Sequence, residues 1–208
     1  MFTFYYAPGS CALASHIALE QAGAAYEAVR LDFRANAQRE PDYLAINPKG
    51  RVPALVTPSG VITENPAILT FIAQTYPQKK LAPVGDPFAF AQLQSFLSYL
   101  CSTVHPAHSH RVRGARWADD PAAIEEMKRK APQVFADCFD LIEASMLAGP
   151  WVMGEAYSIG DPYLFTISTW LAVDGLDIKR WPKVAAHHHL MLEDPVVRRV
   201  VEAEKAPA

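Results

Sequence analysis

The 208 residues suffice for one large domain or two small ones, and half of them are hydrophobic with a fifth charged, which excludes wholesale disorder. With 19 Lys and Arg against 22 Asp and Glu the net charge is −3, so nothing electrostatic draws the chain to nucleic acid or to an anionic membrane. Three scattered cysteines make no disulfide framework, the N-terminus has no basic leader, and no apolar run approaches a membrane span, so a reducing, cytoplasmic setting is expected.

The aromatic run Phe2–Tyr6, ending at Ala7-Pro8-Gly9, predicts a strand and a turn. Alanine-rich Ser10–Ala24, with Leu13 and Ile17 four apart and Gly23 as a stop, predicts a helix. Glu27–Leu31 follows as a short strand, and charged Asp32–Asn47 as an irregular stretch with room for a short helix. Pro53–Thr57 and Val61–Thr63, on either side of Pro58-Ser59-Gly60, predict a hairpin. Ile68, Leu69, Ile72 and Tyr76 keep helical spacing behind a cap expected at Asn65. The order is βαβαββα.

Pro77–Pro87, with three prolines, reads as a linker, which places domains at 1–79 and 88–208 joined by residues 80–87. Beyond it the signals are helical throughout. Leu93, Phe96, Leu97, Leu100, Cys101 and Val104 hold one 3.6-residue period, and Val134, Cys138, Leu141, Ile142 and Ser145 another. Leu164–Leu171 is apolar on nearly every side and predicts a buried central helix. Ser158 and Asp161 resemble a capping box at its start, with Pro162 tolerated in the first turn, and Pro195 opens a last short helix. The fold class is an α/β half joined to an all-helical half.

Cys11 stands at a helix start, where unpaired N–H groups and the helix dipole favour the thiolate and lower its pKa; a small buried hydrophobe is the competing reading. No second cysteine completes a C-x-x-C motif. In "NPKGRVPAL", a cis Val52-Pro53 bond would leave the N–H and C=O of Val52 free for an extended ligand, although the scarcity of cis X-Pro bonds by itself favours trans. Glu64 and Asn65 at the next helix start suit an ammonium and an anionic group, with a plain N-cap as the simpler reading. His105, His108 and His110, near Arg111 and Arg113, have no carboxylate or cysteine at ligand spacing and read as a solvated loop or helix end, so no metal is expected. His187, His188 and His189 are adjacent on a helix, cannot converge on one ion, and read as surface.

Together, "YYAPGSCALASHIAL", "NPKGRVPAL", "ITENPAIL" and "YSIGDPYLF", in this order and spacing, resemble the glutathione S-transferase family over essentially the whole chain. Cys11 in "PGSCALASH" and His105 in "YLCSTVHP" are similar to its bacterial beta class. The resemblance implies a thioredoxin-like N-terminal domain with Pro53 cis, an all-helical C-terminal domain and a homodimer. It implies glutathione as co-substrate, its cysteinyl part paired with the Val52 backbone and its γ-glutamyl end at Glu64 and Asn65. Cys11 and His105 would flank its sulfur, with Ser10 and the helix start stabilising the thiolate, and Arg51 would join the binding set. Two positions depart from the family pattern. Asn65 stands where Ser is common, and Asn36 where a lysine binds the glycine end in close relatives, so Arg34 or Arg39 would supply that charge. Of Tyr5 and Tyr6 at most one can face the site, because successive strand residues point to opposite faces.

The implied reaction is conjugation of the glutathione thiolate to a hydrophobic electrophile bound against Ser98–Arg113 and near Trp170. Rival readings are monothiol redox chemistry at Cys11, a non-catalytic binding scaffold, and a glutathione-dependent isomerase or reductive dehalogenase.

Overall fold

The computed structural model describes residues 1–205. Alternation along β1 (Phe2–Tyr6) sets the two layers around the sheet. Phe4 and Tyr6 point to His16 of α1 (Ala12–Ala22) and Phe2 to Phe71 of α3 (Asn65–Thr75), while Tyr5 packs on Tyr43 of α2 (Pro41–Ile46). The remaining strands are β2 (Tyr26–Arg30), β3 (Ala54–Thr57) and β4 (Gly60–Thr63), in the sheet order β2-β1-β3-β4. β1 runs parallel to β2, with Phe4 opposite Ala28, because α1 makes the crossover between them. β3 is antiparallel to both β1 and β4, with Leu55 opposite Phe4 and Ile62. This is the βαβαββα order read from the sequence, and the thioredoxin-like half that the family resemblance implies.

The helical half comprises α4 (Pro87–Tyr99), α5 (His105–Val112), α6 (Pro121–Leu141), α7 (Gly160–Ser168), α8 (Pro182–Glu193) and α9 (Pro195–Lys205). All nine residues of α7 are buried, as its apolar character demands, and the helix packs against α1. α9 also returns across α1. Leu13, Ile17, Phe165, Met191, Val197 and Val200 form a small core there, and His16 Nδ1 lies 2.8 Å from Glu204 Oε1. A larger core runs from Phe4 through Leu55 and Ile72 to Leu97, Phe139 and Trp181. The segment read as a linker is tied down: Leu81 is buried and its carbonyl accepts the Ile159 N–H at 2.8 Å.

Two sequence expectations change here. The period read through Val104 is interrupted, since Leu100–Val104 forms a π-helical turn between α4 and α5. Pro106 has no N–H to offer the Ser102 carbonyl, and the wider turn absorbs that loss. The three adjacent histidines do not all lie at the surface. Val184, His187 and Met191 share the buried face of α8, His188 Nδ1 meets the Ser168 hydroxyl at 2.7 Å, and only His189 is exposed. His187 is aimed at Asp161, the acid of the capping box. That carboxyl group accepts the Ser158 N–H at 2.6 Å, the Val152 N–H at 2.7 Å and His187 Nε2–H at 3.0 Å, while Ser158 Oγ accepts the Gly160 N–H. Among the described residues no helix is long and apolar enough to cross a membrane.

Candidate active site

Loops at one end of the sheet face the α4–α5 corner across a cavity of about 240 Å³. The sheet half contributes Gly9–Cys11 after β1, Arg51–Pro53 before β3 and Glu64–Pro66 at the start of α3. The helical half contributes Cys101, His105, Tyr163 and Trp170, with Arg113, Arg116 and Trp117 toward the rim.

Gly9 takes a positive φ of 70°, and its carbonyl accepts Trp170 Nε1–H at 3.1 Å, which ties the β1–α1 turn to the helical half. Ser10 lines the cavity, but its hydroxyl proton is committed. It donates to the Ala7 carbonyl at 2.6 Å, and its oxygen accepts the Ala12 N–H at 3.2 Å. In this structure the Ser10 hydroxyl thus bridges the Ala7 carbonyl and the first N–H of α1, and a ligand sulfur would have to compete with the Ala7 carbonyl for its proton.

Cys11 sits at the N-cap of α1, and its thiol donates to the Val52 carbonyl at 3.6 Å. The expected low pKa is overturned. Burial pushes the thiol up to about 12, and the Glu64 charge adds to this, against weaker opposing effects of its own backbone N–H, Arg113 and Arg51. The desolvation of a thiolate here outweighs what one helix start provides. Alkylation of Cys11 by iodoacetamide in the ligand-free protein, followed by peptide mass spectrometry, is therefore expected to accelerate about tenfold per pH unit from pH 7 past pH 10. A plateau below pH 9 would show an activated cysteine instead.

The Val52-Pro53 bond is cis, as the family resemblance implies and the local reading did not. Tyr43 Oη and Asn47 Nδ2 both donate to the Arg51 carbonyl at 2.6 Å and fix the backbone entering it. Gly50 allows the turn before it: φ is 58°, and a Cβ would lie 2.8 Å from Arg39 Nη1 and 2.9 Å from the Gln38 carbonyl. Among the described residues nothing accepts the Val52 N–H, and its carbonyl holds only the long thiol contact.

Glu64, not Asn65, is the N-cap of α3. It has a φ of 74°, and its carbonyl accepts the Ile68 N–H. Its carboxylate pairs with the Lys49 ammonium, which also donates to Thr63 Oγ1 at 2.7 Å. This exposed pair is weak and easily exchanged for another ammonium. The Asn65 and Ala67 N–H groups have no partner among the described residues, so the start of α3 is open to an anion. The Asn65 side chain does not share in that opening. It is buried, its Oδ1 accepts the Ser15 hydroxyl at 2.6 Å, and its Nδ2 donates to the Cys11 carbonyl. Asn65 thus joins the starts of α1 and α3, where a direct ligand contact had been expected.

His105 and His108 belong to a packed helix, not a solvated loop. Both rings lie against Trp170, at 4.8 and 4.7 Å, and buried His108 Nδ1 meets Asp174 at 3.0 Å. Burial, then the neighbouring His108 and the charges of Arg116, Arg113 and Arg51, hold the His105 pKa down to about 4, so its ring is neutral at pH 7. Arg34 and Asn36 fall outside the cavity lining. The Arg34 N–H closes a turn on Asp32 Oδ1, and Asn36 adopts a left-handed φ of 56° on the exposed side of that loop. Gln38 and Arg51 line the cavity in their place. Neither Tyr5 nor Tyr6 lines it, both being used in the sheet layers. Gln38, Arg116, Trp117 and Tyr163 were missed by sequence reasoning, since nothing in their local spacing marks them as facing a site. Among the described residues no three His, Cys, Asp or Glu side chains are grouped to hold a metal ion.

The cavity thus brings together the open backbone groups of Val52 and of the start of α3 with the Cys11 thiol. The glutathione S-transferase N-terminal domain model matches residues 1–74. The chain is 30% identical over 203 residues to glutathione S-transferase GstA of Escherichia coli O157:H7, covering 96% of this chain and 97% of that one. It superposes on a glutathione transferase homologue from Sulfitobacter, solved with bound glutathione, with a TM-score of 0.94, 43% identity and 98% of each chain covered. The beta-class glutathione S-transferase of Sphingomonas chungbukensis matches with a TM-score of 0.85 and 33% identity, over 97% of this chain and 98% of that one.

Proposed function

Because the chain belongs to the glutathione S-transferase family, we propose that it joins the thiolate of glutathione to an electrophilic carbon of a small molecule. The observation that carries this reading is that the open Val52 N–H and the open Asn65 N–H at the start of α3 belong to residues that line one cavity with Cys11. Val52 pairs with the cysteinyl part of glutathione. The α3 amides take the γ-glutamyl carboxylate, and Glu64 exchanges Lys49 for the γ-glutamyl ammonium. Arg51 and Gln38 serve the glycine end in place of Arg34 and Asn36. The raised pKa of Cys11 gives it a role: as a neutral thiol it turns its S–H from the Val52 carbonyl to the glutathione sulfur and stabilises that anion. Two adjacent thiolates would repel. Neutral His105 stands on the opposite wall of the same cavity as a second hydrogen-bonding group. As sulfur attacks, the C–S bond forms and the leaving group departs with its electron pair, the thiol proton having gone to solvent.

The domain division at 1–79 and 88–208, with the electrophile on the helical side, belongs to this proposal. So does a cytoplasmic homodimer with a role in detoxification, supported by free thiols at Cys11, Cys101 and Cys138 and by the exposed apolar Phe88 and Val61. The redox and scaffold readings are not favoured, since a cysteine held as a thiol is a poor attacking group and the Escherichia coli and Xanthomonas relatives, at 30% and 28% identity, are named glutathione S-transferases.

Calorimetric titration with glutathione of this protein and of Cys11→Ala tests the proposal. Binding in the micromolar to millimolar range is expected. Loss of the S–H donor is expected to raise the bound glutathione thiol by about one pKa unit, or about 1.4 kcal/mol. Absence of binding to either protein would refute the reading. Retained conjugation by Cys11→Ala, with loss of turnover of disulfide substrates alone, would favour the redox reading.

A further inference from the structure

The charges around the cavity identify what kind of electrophile it takes. Arg111, Arg129, Arg180 and Arg199 each pair with a carboxylate. Arg51, Arg113 and Arg116 line the cavity, and none of the three has an ion pair among the described residues. One acid, Glu64, lines the same space, and Lys49 already faces its carboxylate. Burial and the positive charges of Arg113, Arg51 and Arg39 hold the Arg116 pKa down, the mark of cations crowded with no anion to relieve them.

The three arginines divide between the two halves. Arg51 adjoins Val52 on the sheet side, where the glycine carboxylate of glutathione accounts for it. Arg113 ends α5 and Arg116 ends the short turn after it, both on the helical side. The Arg113 guanidinium already spans the mouth, 5.8 Å from the centre of the Phe33 ring. In that binding mode Arg113 and Arg116 stay without an acid on the helical side of the cavity. An aromatic ring beside them is a flat platform. Trp117 lines the rim with one face stacked on His110 at 4.2 Å, whereas Trp170 is buried between His105 and His108 and forms the floor.

We propose, resting on the transferase reading above, that the second substrate is a flat electrophile bearing a carboxylate, which Arg113 and Arg116 clamp beside the half-exposed ring of Trp117. Guanidinium groups suit this because their planar donors match a carboxylate in two contacts. With an activated aryl chloride, the glutathione sulfur bonds to the ring carbon and chloride leaves with the electrons of the broken C–Cl bond.

The test compares 4-chloro-3,5-dinitrobenzoate with its methyl ester, which has nearly the same shape and the same leaving group but no charge. Each kcat/KM is divided by that compound's uncatalysed rate with glutathione, because an ester para to the chlorine activates the ring more than a carboxylate does, and the ratio of acid to ester so corrected is expected to be about tenfold or more, consistent with a charge-assisted pair of contacts. In Arg113→Gln/Arg116→Gln the ratio should fall to near one through a higher KM for the acid, and in the Arg113→Lys/Arg116→Lys pair it should largely return. Both side chains are exposed, so the variants are expected to fold. An acid no better than its ester, or a preference that survives in the double glutamine variant, overturns the inference while leaving the transferase reading intact. Conjugation of neither compound, with no glutathione binding, overturns both.

Discussion

Asp161→Asn is expected to lower stability by about 3 kcal/mol, and Asp161→Ala by about 3–5 kcal/mol. The carboxyl group is fully buried, and its two oxygens serve four donors: the Val152 and Ser158 N–H groups, the Ser158 hydroxyl and His187 Nε2–H. An asparagine amide must turn its own N–H groups toward two of those donors in either orientation. Alanine leaves all four unsatisfied. The damage would reach the active site, because Asp161 lies in the first turn of α7, which carries Tyr163 and leads to Trp170. For a chain of this size the loss corresponds to a melting temperature lower by about 6–20 °C. Ser158→Ala, which removes the cap hydroxyl but leaves the carboxyl group, should cost about 1 kcal/mol. Thermal unfolding of the three variants measures this, and a shift under about 2 °C for Asp161→Asn would mean that the network contributes little.

Asn65→Ala is expected to weaken glutathione binding about tenfold or more and to lower stability by about 2–3 kcal/mol. The two losses share a cause. The Asn65 amide links the Ser15 hydroxyl to the Cys11 carbonyl, and so sets the start of α3 against the start of α1. One helix start offers amides to a carboxylate and the other holds the sulfur, so slackening between them spoils both contacts. Ser15→Ala provides the distinction. Ser15 is buried and does not line the cavity, yet it holds the other end of the same amide. It should reproduce part of the loss in affinity. If Ser15→Ala leaves glutathione binding unchanged while Asn65→Ala abolishes it without loss of stability, Asn65 is a direct ligand contact and the positioning role is wrong.

What the sequence determined by itself was the order of elements, with strands confined to the first half and helices filling the second, and the segments that meet at the site. Those features depend on neighbours. The aromatic run Phe2–Tyr6, the Pro-Ser-Gly hairpin turn, the apolar α7 and the Ser158–Asp161 cap are each encoded within a few residues. The cis Val52-Pro53 bond was legible only through the family resemblance, because its local prior points the other way.

The tertiary structure alone decided what each of these groups does. Cys11 is a helix-start cysteine by sequence, but the Val52 carbonyl that accepts its S–H is 41 residues away, and the Glu64 charge that helps to hold its pKa up is also distant in sequence. Asn65 reads as a free cap until Ser15 and Cys11 claim its amide. Ser10 reads as a donor until the Ala7 carbonyl accepts its proton. His187 looks like surface until α8 turns that face onto Asp161. Arg113 and Arg116 look like ordinary surface charges until the chain folds without placing an acid beside them. The physical reason is common to all five. Backbone conformation is governed largely by near neighbours, whereas protonation, hydrogen-bond commitment and charge balance depend on which distant groups share the same low-dielectric space.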